Sequence, residues 1–229
     1  MQEISTIFWD LDGTLIDTNE LYDQAIKYAC DQANCTMLNK INDLPNGQTL
    51  IADFSFLTGL SINNNFKLLN QLKKLAILYY KTNFSNNLLI KNSVDLFNYF
   101  HQLGLDQSII SNSNQELCDF TTEIIGIKDK CRYCFGIESV ESGKPNPELY
   151  IQALQSHKVL HSQCLVFEDS INGVNAAKAA HIAVVSINAE AKEANPDYIW
   201  NINIESYSIL FNKLSKIYKF TNLSTIKVN

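Results

Sequence analysis

No run of about 18 apolar residues occurs anywhere in the chain, so it offers no candidate transmembrane helix. Positive charge is also short: 18 Lys and Arg stand against 24 Asp and Glu, a formal net charge of −6. That balance argues against a general nucleic-acid or anionic-membrane surface, and a small anionic substrate would need a local positive site. No signal-peptide pattern opens the chain, because Glu3 and Ser5 interrupt its first apolar residues, and the expected location is cytoplasmic. No G-x-S-x-G is present, which removes the usual serine-hydrolase elbow. A P-loop is missing too, since Lys144 follows Gly143 but precedes Pro145, and position 138 is Glu. Cysteines are few, six in all, and the single C-x-x-C (Cys131–Cys134) has no second pair, so they read as reduced thiols. The N-x-[ST] matches at Asn34, Asn83 and Asn222 carry little meaning in so asparagine-rich a chain.

What is present is the composition of an ordinary globular protein. The chain has 229 residues, enough for one sizeable domain or two unequal ones, and 46% of them are hydrophobic. Short apolar runs end in polar clusters: ISTIFWD (4–10), QSIISNS (107–113), QCLVFEDS (163–170), IAVVSI (182–187) and a weaker DYIW (197–200). Runs of this kind suit strands buried on both faces of a parallel sheet. Helical patterns lie between them, with Gly104 and Gly126 at helix ends, Asn146 and Pro147 opening one helix and Ser170 capping another. The alternation predicts an α/β fold with a doubly wound parallel sheet. Between Asp17 and Lys91 the pattern is only helical, with Leu21, Ala25, Tyr28 and Ala29 on one face and Leu68, Leu72, Leu75 and Tyr79 on another. An inserted all-α cap over residues 17–89 is therefore expected, with residues 1–16 and 90–229 forming the core. The closing helix, with Tyr207, Leu210, Phe211, Leu214 and Ile217, is expected to pack on the sheet.

The chemistry gathers at the strand ends. The first strand stops at Asp10-Leu11-Asp12-Gly13, a later one at Ser111-Asn112, and another at Glu168-Asp169. In a parallel sheet these ends lie side by side, so four carboxylates converge and repel one another unless protonated or bound to a cation. Hard oxygen ligands suit Mg2+. Lys144, held between Gly143 and Pro145, adds a fixed positive charge for a phosphate. An EF-hand fails, because counting from Asp10 its sixth and twelfth positions hold Leu15 and Leu21.

Taken in order, DLDGT, IISNS, GKPNPELY and VFEDSINGVNAAKAA resemble the haloacid dehalogenase superfamily, in particular members with a helical cap inserted after the first strand. The resemblance spans the chain. It implies a Rossmann-like core, a Mg2+ cofactor and Asp10 as the nucleophile that becomes an aspartyl-phosphate. Asp12 would be the general acid and then the base, which requires a pKa above that of a free carboxyl. The metal would be held by Asp10, the Asp12 main-chain carbonyl and Asp169, with Glu168 outside them. Ser111 and Lys144 would hold the phosphoryl oxygens, with Asn112 nearby.

The implied reaction is hydrolysis of a small phosphorylated metabolite. A β-phosphoglucomutase-like transferase is the alternative, and a phospho-accepting binding protein the third reading. Two departures weigh against the mutase: Tyr22 stands where mutases usually have histidine, and Gly47-Gln48-Thr49-Leu50 lacks their basic residue. Tyr22, Gln48 and Thr49 are candidate leaving-group contacts. His181 replaces a glycine usual in relatives and is expected to be structural, while His101, His157 and His161 are expected at the surface without partners.

Overall fold

A computed structural model describes residues 1–44, 48–202 and 205–221. The chain opens with β1 (Gln2–Ile4), breaks at Ser5 and enters β2 (Thr6–Trp9), every residue of which is buried. It then makes α1 (Asn19–Gln32), α2 (Leu50–Thr58) and α3 (Ile62–Asn83) before the alternating part begins. There follow α4 (Lys91–Gln102), β3 (Asp106–Ile110), α5 (Gln115–Ile124), β4 (Tyr133–Phe135), α6 (Glu148–His157), β5 (Cys164–Glu168), α7 (Ile171–Ala179), β6 (Ala183–Ser186), β7 (Tyr198–Ile199), α8 (Tyr207–Leu214) and β8 (Tyr218–Phe220). The main sheet runs β4-β3-β2-β5-β6-β7, parallel throughout.

Both faces of this sheet are covered. On one, Trp9, Phe97, Phe100, Phe167, Leu210 and Leu214 form a continuous apolar cluster; on the other, Phe8, Tyr150, Val166, Val174 and Ala177 do so. Adjacent residues Phe8 and Trp9 serve opposite faces, as the two-residue period of a strand requires. The Trp9 ring stacks on Phe167 at 4.3 Å. Its indole N–H donates to Gln107 Oε1 at 2.8 Å, and the Gln107 amide donates in turn to the Phe97 carbonyl at 3.1 Å, so the buried polar atoms are paired. Helix ends follow the sequence reading. Gly104 and Gly126 take left-handed conformations, Asn146 Oδ1 accepts from Glu148 N at 3.0 Å, and Ser170 Oγ accepts from Gly173 N at 3.0 Å.

Three features differ from the sequence expectation. The first apolar run is two strands, because the Ser5 amide donates to the Gln163 carbonyl and its own carbonyl accepts from Asp106 N. This shift lets β1 leave the main sheet and pair in parallel with β8, a strand unread in the sequence. In α3 the fully buried line is Leu69, Leu72, Ala76 and Tyr80, while Leu68, Leu75 and Tyr79 are half-buried. The turn follows from packing on α1, α2 and the core helix α5 together, with Tyr80 and Thr121 hydroxyls 3.3 Å apart. The closing helix does bury Leu210 and Leu214 on the sheet, but it ends before Ile217, which is half exposed.

The three-helix unit has its own apolar cluster around Phe54, Leu57, Leu69 and Tyr80, to which Leu117 and Phe120 of α5 contribute from below. Its two connections to the sheet run beside each other: Asp17 N donates to the Leu88 carbonyl at 2.7 Å and Ile90 N to the Leu15 carbonyl at 2.9 Å. The unit therefore stands over the carboxyl ends of β2, β3 and β5. No helix among the described residues is long and apolar enough to cross a membrane.

Candidate active site

The backbone delivers the first acid from a fixed platform. The Asp10 amide donates to the Phe167 carbonyl at 3.0 Å, which continues the β2–β5 ladder by one residue. The chain then turns sharply, with Gly13 at φ +84° and its amide donating to the Ile16 carbonyl at 2.6 Å. A Cβ at Gly13 would lie 2.1 Å from Asp169 Oδ2, so the absent side chain makes room for that carboxylate. Gly173, in the first turn of α7, likewise leaves space for Glu168, whose carboxylate a Cβ would meet at 1.9 Å.

Asp10, Glu168 and Asp169 bring carboxylate oxygens within 4.8 Å of one another. The Lys144 ammonium is buried among them. It donates to Asp10 Oδ1 at 2.7 Å, to Glu168 Oε1 at 2.6 Å and to the Ile110 carbonyl at 2.6 Å. Tyr150 donates its phenol hydrogen to the same Glu168 oxygen at 2.7 Å. One cation cannot neutralise three acids, and the titration of the group reflects this. Burial pushes Glu168 up to about 7, helped by the Asp10 charge and opposed by Lys144 and Tyr150. Burial together with Asp10 and Glu168 lifts Asp169 to about 8. Burial works against the Lys144 charge, but the two carboxylates outweigh it and hold its pKa above the ordinary value.

Asp10 Oδ2 is buried and has no hydrogen-bond partner among the described residues. An orphaned carboxylate oxygen beside two further carboxylates is the donor set of a hard cation, so these residues fit a divalent metal.

The Asp12 carboxylate lies apart from this trio. Oδ1 accepts from Thr18 Oγ1 at 2.5 Å, and Oδ2 accepts from Ser113 Oγ at 2.5 Å and from Ser111 Oγ at 3.4 Å. Where the sequence predicts four converging carboxylates, three meet, and the fourth, Asp12, is instead held by the hydroxyls of Thr18, Ser111 and Ser113. Burial raises the Asp12 pKa, the Ser113 and Thr18 hydrogen bonds work against it, and the Asp10 charge adds to it. Ser111 Oγ also accepts from Ser113 N at 2.9 Å. Asn112 faces away from the acids and clamps the lysine backbone. Its amide donates to the Lys144 carbonyl at 2.9 Å, and its oxygen accepts from Lys144 N at 2.8 Å.

Thr18, Ser113 and Tyr150 contact these acids and were not legible as such. They lie in DTNELY, IISNS and GKPNPELY respectively, where a hydroxyl close to an acidic strand end is the available signal. On the helical side, Tyr22 OH donates to Asp53 Oδ2 at 3.0 Å, and burial raises Asp53 to about 7. Thr49 caps α2 by accepting from Ala52 N, Gln48 is half-buried, and Gly47 lies outside the described residues.

The histidines are mixed. His101 and His161 are exposed, but His161 is not without a partner: its Nδ1 lies 3.0 Å from the His181 carbonyl. His181 takes φ +60°, a left-handed conformation that glycine adopts without strain. His157 corrects the sequence reading. It is buried, its Nε2 lies 2.7 Å from Ser108 Oγ, and Asp106 lies 3.6 Å from Nδ1. It ends α6 against β3, and that packing withdraws it from the surface.

A parallel sheet carries acids and a buried lysine at its carboxyl edge, beneath a helical unit. Residues 7–187 match the family described as haloacid dehalogenase-like hydrolase, and the chain belongs to that family. It is a phosphatase of this kind. The phosphoglycolate phosphatase of Vibrio vulnificus is 28% identical over 192 residues, 80% of this chain and 82% of that protein. The pyrophosphatase PpaX of Halalkalibacterium halodurans is 22% identical over 86% of this chain and 92% of its own length. The Bacillus subtilis protein YhcW matches a shorter stretch, 38% identical over 37% of this chain and 39% of that protein. Among solved structures, β-phosphoglucomutase from Clostridium difficile superposes with a TM-score of 0.76 at 15% identity, covering 93% of this chain and 99% of that one. CbbY from Rhodobacter sphaeroides in complex with phosphate gives 0.71 at 16% identity, covering 91% and 96%. These likenesses are of fold.

Proposed function

We propose that this enzyme is a Mg2+-dependent phosphomonoesterase that hydrolyses a small phosphorylated metabolite through an aspartyl-phosphate on Asp10. The observation that carries the reading is the buried Asp10 carboxylate, one oxygen held by Lys144 and the other left without a partner. In the first step an Asp10 oxygen attacks phosphorus, the bond to the ester oxygen breaks, and the Asp12 carboxyl gives its proton to the departing alkoxide. In the second step Asp12, now ionised, takes a proton from water, which attacks phosphorus and releases Asp10 with inorganic phosphate. The raised pKa of Asp12 suits it to hold the proton at the start, and Thr18 and Ser113 aim its two oxygens.

Lys144 balances charge on the transferring group, and Ser111 offers a hydroxyl beside it. Asn112 is a positioning residue that fixes the Lys144 backbone. Asp10, Asp169 and the Asp12 main-chain oxygen would hold Mg2+, with Glu168 supporting them, and the ion would neutralise phosphoryl charge. Residues 17–89 form the cap and residues 1–16 with 90–229 the core, so the cap closes the site from water. Six free cysteines are consistent with a reducing compartment, the cytoplasm.

The test is turnover of p-nitrophenyl phosphate with Mg2+, repeated with EDTA and with Asp10→Asn. Activity is expected only in the first case, with a loss of at least about a thousandfold in the others. Turnover that survives either treatment overturns the mechanism.

A further inference from the structure

Beyond the phosphate site, the space left for the departing alcohol is a cavity of about 440 Å3. Its walls include Asp12, Thr18, Asn19, Tyr22, Asp23 and Asn42, and none of its described lining residues is Lys or Arg. Behind Tyr22 stands the buried carboxyl of Asp53. The wall is thus acidic and rich in hydrogen-bond acceptors and amides.

A second place could hold an anion: the amino end of α5, next to Ser113, where backbone N–H groups and the cap residue Lys73 point together. The chain fills that place with its own carboxylate. Glu138 accepts from Gln115 N at 2.8 Å, from the Asn114 side-chain amide and from Lys73 Nζ at 3.2 Å. The next lysine along α3, Lys81, is bound to Glu116 at 2.7 Å. Lys144 is already shared between Asp10 and Glu168.

We infer that the alcohol released by this enzyme is uncharged and hydroxyl-rich, and that the site excludes substrates carrying a second anionic group. The cavity wall sets Asp23 against a carboxylate or second phosphate and offers it no Lys or Arg among the described lining residues, while Glu138 occupies the donors that would otherwise receive one. Hydroxyl groups, in contrast, find acceptors in the Tyr22 and Asp23 oxygens and amides in Asn19 and Asn42. This inference rests on the phosphatase reading and narrows its substrate class, away from the glycolate and pyrophosphate named for two of the relatives above.

The experiment compares kcat/KM for matched esters under identical Mg2+: glycerol phosphate against phosphoglycerate, and sorbitol phosphate against phosphogluconate. The members of each pair differ chiefly by a hydroxymethyl or a carboxylate. The neutral ester is expected to win in both pairs by at least about tenfold, since uncompensated like charges cost several kcal/mol. Glu138→Gln is expected to shrink that ratio by about tenfold, because Lys73 and the amino end of α5 are then freed. Without Mg2+-dependent turnover of p-nitrophenyl phosphate, the phosphatase reading falls and this inference with it. If that ester is turned over while neither pair favours its neutral member, turnover of neither pair included, only this inference is overturned. The wild-type pairs decide the matter even if the Glu138 variant does not fold.

Discussion

Gly13 and Gly173 show how single residues set the site. Neither bears a functional group, yet each vacates the volume that a catalytic-edge carboxylate occupies. Gly13 also sits at φ +84°, where any side chain is strained. Replacing it by alanine must move Asp169 or the turn that carries Asp12. Gly13→Ala is therefore expected to lower kcat/KM by about a hundredfold, the scale on which small misplacements act, with a far-ultraviolet spectrum unchanged. Wild-type kinetics in this variant would show that the close approach of turn and carboxylate has no functional consequence. At this scale much was legible: Asp10, Asp12, Glu168 and Asp169 stood out because acids at the ends of apolar strands are unusual, Ser111 because it closes such a run, and Lys144 because it is fixed between Gly143 and Pro145. Asn112 was legible as present but not as a clamp on Lys144, because a side chain that bonds backbone leaves no chemical signature. Tyr150 was hidden for a similar reason, its ring reading as core and its hydroxyl reaching Glu168 only through the turn of α6.

Elements were read well where one local rule suffices and less well where several partners compete. Gly104, Gly126, Asn146 and Ser170 end or start helices as their side chains dictate. The buried face of α3 is displaced by one position because three other helices share it, and β8 went unread because its partner β1 lies at the far end of the chain. His157 is the sharpest case. A polar residue at a helix terminus suggests solvent, yet α6 ends against β3 and the ring packs edge-on to Tyr133 at 5.0 Å. Burial, aided by Arg132 and opposed by Asp106, lowers its pKa from 6.5 to about 4. The unfolded chain thus binds the proton more readily than the native one, and stability is present above pH 6.5 and lost as pH falls through the window toward about 4. Within that window this histidine contributes a slope of about 1.4 kcal/mol per pH unit. His157→Gln, which keeps a partner for Ser108 without a titrating ring, is expected to flatten the slope measured by urea unfolding. An unchanged slope would mean that the histidine is not held neutral.

At the scale of the whole molecule, the arrangement is a charge problem with a chemical use. A sheet delivers Asp10, Glu168 and Asp169 to one point, a single lysine leaves them incompletely balanced, and a fourth acid, Asp12, is held by three hydroxyls. The alternation of runs and helices, and the strandless stretch from Asp17 to Lys91, were sufficient to read a doubly wound core with an inserted cap. What composition and pattern left unread was the electrostatic character of the cavity wall, since Asp12, Asp23 and Asn42 reach it from segments apart in sequence. Phosphorylation of Asp10 during turnover is the expected course of the reaction. It is tested most directly by mixing enzyme, Mg2+ and p-nitrophenyl phosphate, quenching in acid within the first turnover and locating phosphate by peptide mass spectrometry. Phosphate is expected on the peptide that contains Asp10, and on none from the Asp10→Asn variant or the EDTA-treated enzyme. Steady hydrolysis with no phosphate on that peptide, or phosphate attached to a different residue, would contradict it.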